Sequence, residues 1–158
     1  MSKYMLSSID VFKGLDESEL ETMEKGAKEI NYTMEKTIFK EGDPGDKMYM
    51  ILDGVVEIWK SEGKEPKGSR LARLKTGEIF GEMALFDKEP RSATAIAAIT
   101  KETKLLIWHE KDMDQIIQTT PRLGLKILTN IIKKVSTRLR VANDAIHTLL
   151  RSNQYIGL

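Results

Sequence analysis

Glu82 and Arg91 stand nine residues apart in the stretch IFGEMALFDKEPRSATAIA, residues 79–97, and each is a charge in a poor place for one. Arg91 follows Pro90 and opens a run of Ser, Ala, Thr and Ile, residues 92–98, that reads as interior. A guanidinium keeps its proton at any physiological pH, and leaving one unpaired in an apolar interior costs on the order of several kcal/mol. Arg91 therefore calls for an anion. Gly81 opens EMALF, which suits a short helical turn whose first N–H groups have no partner within the helix, and such a terminus attracts anions. Arg91, ten positions after Gly81, can close on the same point. Glu82 would repel an anion and needs a partner of its own. An ionised carboxylate only accepts hydrogen bonds, and a sugar hydroxyl donates one. Phosphate and hydroxyl side by side describe a nucleotide.

The elements that must hold these residues change period along the chain. GLDESELETMEKGAKEI, residues 14–30, reads as a short helix with Asp16 and Glu19 as a capping box, Leu20, Met23 and Ala27 on one face, and Gly26 weakening its end. Near-alternating runs follow at 37–40, 48–52, 55–59, 70–74, 92–98 and 103–108, with Gly77 and Gly81 flanking a further strand-like pair. Asp53-Gly54 reads as a tight hairpin turn, residues 41–46 as a second turn, and residues 61–69 as a long polar hairpin tip. The fold class expected is mainly β with flanking helices: an antiparallel β-roll or jelly-roll barrel.

From residue 110 the period is helical again, broken at Pro121, which suits the first turn of a new helix. Along that helix Leu128, Ile132, Val135, Leu139, Ala142, Ile146 and Leu149 alternate steps of four and three, an a/d seam. Beside it lie Ile127, Ile131 and Val141, a second set that suits the helix's own barrel. The expectation is residues 1–120 as a β-roll with its short helices, and residues 121–158 as a helix that packs on the barrel with one side and on a twin helix with the other, giving a homodimer.

Composition narrows the chemistry. Cysteine is absent, which removes disulfides, thiolate metal sites and a cysteine nucleophile together. His109 and His147 are the only histidines, too few and too far apart in sequence for a cupin-type metal centre, so no metal and no enzymatic activity are expected. With no run of eighteen apolar residues and no signal-peptide opening, no membrane association and a cytoplasmic location are expected. The net charge of +1 hides an asymmetry: residues 121–158 hold seven Lys and Arg against Asp144 alone, leaving 18 basic and 23 acidic residues in the first 120. Such a basic helix is read as a solvated face before a nucleic-acid surface.

FGEMALFDKEPRSATA resembles the phosphate-binding cassette of the cyclic nucleotide-binding domain family, in which Gly-Glu begins a short helix and an arginine nine residues after the glutamate precedes a small residue and then alanine. FKEGDPGDKMYMILDGVVEI matches the same family's strand–turn–strand signature, and the resemblance runs from about Phe12 to Leu150. It implies that Glu82 accepts from the ribose 2′-hydroxyl and that Arg91 pairs with the cyclic phosphate. Gly81, the amides of Met83, Ala84 and Ser92, the Ser92 hydroxyl and the small Ala93 complete the cradle. A hydroxyl residue after the arginine occurs in relatives of both nucleotide types. The bacterial-type C-terminal helix points to cAMP, with cGMP open. By the same resemblance Asn143 is placed to read an adenine edge, and Arg138, one turn earlier, to approach the phosphate or stay solvated. Transcription factors of this family continue into a helix-turn-helix domain, and too few residues follow the long helix for one, so a sensor with no direct DNA contact and an unidentified effector is expected. A ligand-free dimeric scaffold of the same fold, with Arg91 paired to Glu82, is the alternative.

Overall fold

The computed structural model describes residues 6–62 and 65–154. Eight strands form two four-stranded antiparallel sheets: β1 (Lys28–Tyr32), β2 (Thr37–Phe39), β3 (Lys47–Asp53), β4 (Val55–Glu62), β5 (Glu65–Lys75), β6 (Ile79–Phe80), β7 (Thr94–Ala97) and β8 (Thr103–His109). One sheet runs β1-β8-β3-β6 and the other β2-β7-β4-β5, the antiparallel β-roll expected. The helices are α1 (Glu17–Lys25), α2 (Glu82–Asp87), α3 (Glu110–Thr119) and α4 (Pro121–Gln154), with a 3-10 turn at Asp10–Phe12.

Side-chain alternation on β3 and β8 explains why both strands are apolar almost throughout. Met48, Met50, Leu52, Leu106 and Trp108 turn outward onto the helices, while Tyr49, Ile51, Leu105 and Ile107 turn inward toward Val56, Leu74 and Ala95 of the other sheet. This sheet is therefore buried on both faces. Trp108 is the largest fully buried side chain; it packs on Phe12, and its Nε1 donates to the Met23 carbonyl at 2.9 Å. The capping box of α1 forms as read, Asp16 and Glu19 exchanging hydrogen bonds of 2.9 Å.

Three readings need correction. Asp53-Gly54 is not a hairpin turn, because β3 and β4 belong to different sheets. Only Gly54 of the pair has positive φ, at 101°, where a tight two-residue turn of the type read needs it at both. The chain crosses between sheets there so close to β8 that a Cβ on Gly54 would lie 2.7 Å from Thr103 Oγ1. Second, β5 begins at Glu65 and pairs with β4 as far out as Glu62, so residues 61–69 are mostly ladder and not a loop. β5 is the edge strand of its sheet, where polar residues are at home. Third, β1 is a polar edge strand on β8 that the hydrophobic pattern did not reveal.

α4 meets the domain only along its first half. Leu123, Ile127 and Ile131 are buried, and every fourth residue from Lys126 makes a polar anchor. Lys126 pairs with Glu19 at 2.6 Å, and Asn130 Nδ2 donates to the carbonyls of Val11 and Lys13 at 3.0 and 2.9 Å. Lys134 lies 3.8 Å from Asp10 and 3.9 Å from Glu78, and Arg138 reaches Glu82 at 3.0 Å. Three of the seven cations of the basic helix thus face acids of the acidic body. Beyond Arg138 the helix outruns the domain and is exposed, so Val141, read as barrel-facing, is exposed with it.

Candidate functional site

β6 pairs with β3 at Tyr49↔Phe80, and Gly81 then turns the chain into α2 in the left-handed region, φ 74° and ψ 7°. Glycine is required twice over, since a Cβ there would also sit 2.8 Å from Arg91 Nη1. Lys88, again left-handed at φ 61°, ends α2. Between α2 and β7 the main chain of Arg91 is held by the 41–46 turn: Arg91 N donates to the Asp43 carbonyl, and Gly42 N donates to the Arg91 carbonyl, both at 2.9 Å. The same turn supports α2 so tightly that a Cβ on Gly45 would fall 2.1 Å from that of Ala84.

Arg91 is only 4% exposed. Its Nη1 donates to the Gly81 carbonyl at 2.7 Å and its Nη2 to the Lys47 carbonyl at 2.8 Å, and the guanidinium lies 4.3 Å from the Phe39 ring centroid. Among the described residues no carboxylate forms an ion pair with it, and its Nε is buried without a hydrogen-bond partner. Burial pushes the Arg91 pKa down, against the fields of Tyr49, Asp46, Asp43 and Glu82, yet a guanidinium remains charged. Beneath it Phe39, Tyr49 and Phe80 form an aromatic cluster, with Tyr49 and Phe80 stacked at 5.0 Å. Burial raises the Tyr49 phenol to about 12, so it stays neutral.

Glu82, also 4% exposed, accepts from Arg138 Nη1 through Oε1, while Arg138 Nη2 donates to the Ile79 carbonyl. The Arg91–Glu82 pair of the scaffold alternative is not formed. The first N–H groups of α2 have no partners within the helix, and the residues at that end border a cavity. Gly81, Glu82, Met83, Ala84, Arg91, Ser92, Ala93 and Arg138 all line that cavity, about 620 Å³ counting its open mouth. Asn143 does not, because it lies on the exposed part of α4 past the last anchor. Arg138, half-buried, holds Glu82 and the Ile79 carbonyl.

The apolar wall opposite, Phe39, Ile58, Ala72, Leu74 and Phe80, was not singled out in the sequence. Ile58 on β4, and Ala72 and Leu74 on β5, sit at alternating positions, and that period was the signal available. Lys60 was also missed. Its Nζ reaches the Ser92 carbonyl at 2.9 Å and Glu41 at 2.6 Å, clasping β4 to the site, and this contact holds the Glu41 carboxyl below its ordinary range. His109 lies 3.9 Å from Asp46, His147 is on exposed α4, and among the described residues no three metal-ligating side chains converge. No helix among the described residues is long and apolar enough to cross a membrane.

Comparison with known proteins agrees with this geometry. Residues 29–120 match the Cyclic nucleotide-binding domain. The chain is 32% identical over 135 residues to the Cyclic AMP receptor protein of Thermus thermophilus, covering 84% of this chain and 58% of that protein. It superposes on a cyclic nucleotide-binding domain from Methylobacillus flagellatus with a TM-score of 0.80 at 26% identity, covering 92% and 80% of the two chains. On the regulatory domain of Toxoplasma gondii PKA, co-crystallised with cAMP, the TM-score is 0.70 at 25% identity, covering 85% and 48%. The chain spans about three fifths or less of the length of the curated relatives it matches. It belongs to the cyclic nucleotide-binding domain family and has that family's regulator fold.

Proposed function

We propose that the chain is a cyclic-nucleotide sensor whose ligand is cAMP in preference to cGMP. The observation that carries this is Arg91: a buried cation with a free Nε, no carboxylate partner among the described residues, and a cavity in front of it. One arginine with the backbone dipoles of α2 balances the single charge of a cyclic phosphodiester. In this reading Arg91, the amides of Met83, Ala84 and Ser92, and the Ser92 hydroxyl receive the phosphate. Glu82 accepts from the ribose, its Oε2 having no hydrogen bond among the described residues. The apolar wall takes the base. Preference for cAMP is supported by what the Thermus receptor and the Toxoplasma complex are named for.

The cavity's one acid, Glu82, is held by Arg138, an arrangement suited to binding and not to proton transfer. It also suits signalling. A ribose hydroxyl draws on the carboxylate that anchors α4, so occupancy and the position of α4 are coupled, and the ligand shifts the equilibrium by its difference in affinity for the two positions. Residues 1–120 then act as the sensor and residues 121–158 as the output and homodimer seam, read by an effector. Calorimetric titration with cAMP, cGMP and 5′-AMP tests this. The expected result is saturable binding, tightest for cAMP and weakest for 5′-AMP. If millimolar cAMP and cGMP both leave heat and melting curve unmoved, the ligand-free scaffold reading replaces it.

A further inference from the structure

β4 and β7 pair antiparallel from Val56↔Ala97 to Trp59↔Thr94, and beyond the first of these pairs the Ala98 N–H donates to the Val55 carbonyl at 2.9 Å. In an antiparallel pair the residues that exchange main-chain hydrogen bonds recur at every second position. Counted from Val55 and Ala98, that set runs on to Ser61 and Ser92, so a continued ladder would bond those two residues to each other. It stops short of them. The Ser61 N–H donates instead to Glu41 Oε2 at 2.9 Å, and the Ser92 carbonyl accepts instead from Lys60 Nζ at 2.9 Å. Lys60 Nζ and Glu41 Oε1, 2.6 Å apart, join the two halves of the broken rung, and the Glu41 N–H is itself fixed on Thr94 Oγ1 at 3.0 Å. The Ser92 N–H is left with no acceptor among the described residues. Ser92 lines the nucleotide cavity, whereas Lys60 and Glu41 do not.

We propose that Lys60, with Glu41, is a positioning residue for the anion site: the pair stands in for one rung of the β4–β7 ladder, and so keeps the Ser92 N–H and hydroxyl out of the sheet and available to the ligand phosphate. The effect on binding rests on the cAMP reading above; the replaced rung does not. Glu41 balances the charge of Lys60, so what the lysine supplies to the site is geometry. Its side chain is 48% exposed, and an ion pair so open to water adds little to stability. Its loss falls on Ser92 instead, because a donor displaced by on the order of 1 Å no longer makes a hydrogen bond to a phosphate oxygen.

Two measurements on the full chain test the two parts. Amide hydrogen exchange by NMR, without ligand, reads the rung. The Ser92 amide should exchange freely in the wild type, and the Ser61 amide should be protected and lose that protection in Glu41→Ala. A protected Ser92 amide, or a Ser61 amide indifferent to Glu41→Ala, overturns the replaced rung. Calorimetric titration with cAMP reads the positioning. Lys60→Met should weaken binding about tenfold while lowering the ligand-free Tm by less than about 4 °C, and Lys60→Arg, which can donate to the same two oxygens, should bind within about threefold of the wild type. On a Ser92→Ala background Lys60→Met should cost about threefold or less, because part of what it disturbs is already gone. An unchanged Kd in Lys60→Met, or the same tenfold loss on both backgrounds, overturns the action through Ser92. A loss that Lys60→Arg does not recover, or one that comes with a Tm lowered by about 8 °C or more, makes Lys60 a structural prop and overturns it too. If the wild type binds neither cAMP nor cGMP, the nucleotide reading falls with the positioning role, and the exchange pattern alone judges the rung.

Discussion

Replacing Arg91 by alanine separates a ligand contact from a structural prop. The guanidinium caps two carbonyls, Gly81 and Lys47, so its removal leaves two acceptors at a cavity wall that water can reach, each at the low end of about 1–3 kcal/mol. Removing a desolvated charge offsets part of that. A net loss of roughly 1–2 kcal/mol lowers Tm by about 2–8 °C for a chain of this size. The effect on binding is larger. Loss of the cation facing a desolvated anion costs about 3–5 kcal/mol, and so two to three and a half decades in Kd. At cAMP about a hundredfold above the wild-type Kd, the wild type gains about 2.7 kcal/mol, or roughly 5–11 °C in a melting scan. The variant should gain about 1 °C or less. Arg91→Lys keeps the charge but not the fork that spans both carbonyls, and should fall between. Should Arg91→Ala keep the wild-type thermal gain, the assignment of Arg91 to the phosphate is refuted.

Arg138→Ala removes the last anchor of α4; hydrogen exchange should quicken across residues 135–142 and stay unchanged in α1 and β3, and equal rates would show that Glu82 does not hold the helix. Gly45→Ala puts a methyl 2.1 Å from Ala84 Cβ, so α2 must move; about tenfold weaker cAMP binding and a loss of about 1–3 kcal/mol in denaturant melts are expected. The Glu41 carboxyl is held low chiefly by its hydrogen bond from Lys60, so its contribution is complete above the unfolded value, about 4.3, and is lost as pH falls through the folded one. Glu41→Gln should therefore flatten the fall of Tm below about pH 4, and identical acid limbs would rule the clasp out.

That Gly81, Glu82 and Arg91 border one cavity was legible because they lie within eleven residues and each type is unusual for its setting. The strands with one dominant period were legible for the same reason. What escaped depends on contacts between distant segments. Nothing in Asp53-Gly54 tells a hairpin from a crossing between sheets, since the deciding neighbour is Thr103, fifty residues on. β1 has no apolar stripe because only β8 pairs with it. Arg138 read as a helix-surface cation, and its partner Glu82 is fifty-six residues away. The 126, 130, 134, 138 spacing of the anchors was visible, but only the fold shows that acids and carbonyls wait opposite.

The half of α4 that outruns its own domain is a long arm on a short foothold. From Arg138 to Gln154 the helix extends about 24 Å past its last foothold, so a tilt of about 10° at that foothold displaces the far end by about 4 Å. On the reading proposed above, a carboxylate exchanging one hydrogen-bond partner for another is thereby magnified to the width of a side chain at the tip of a lever. Shortening or lengthening that arm by whole turns would rescale this displacement while leaving the cavity as it is.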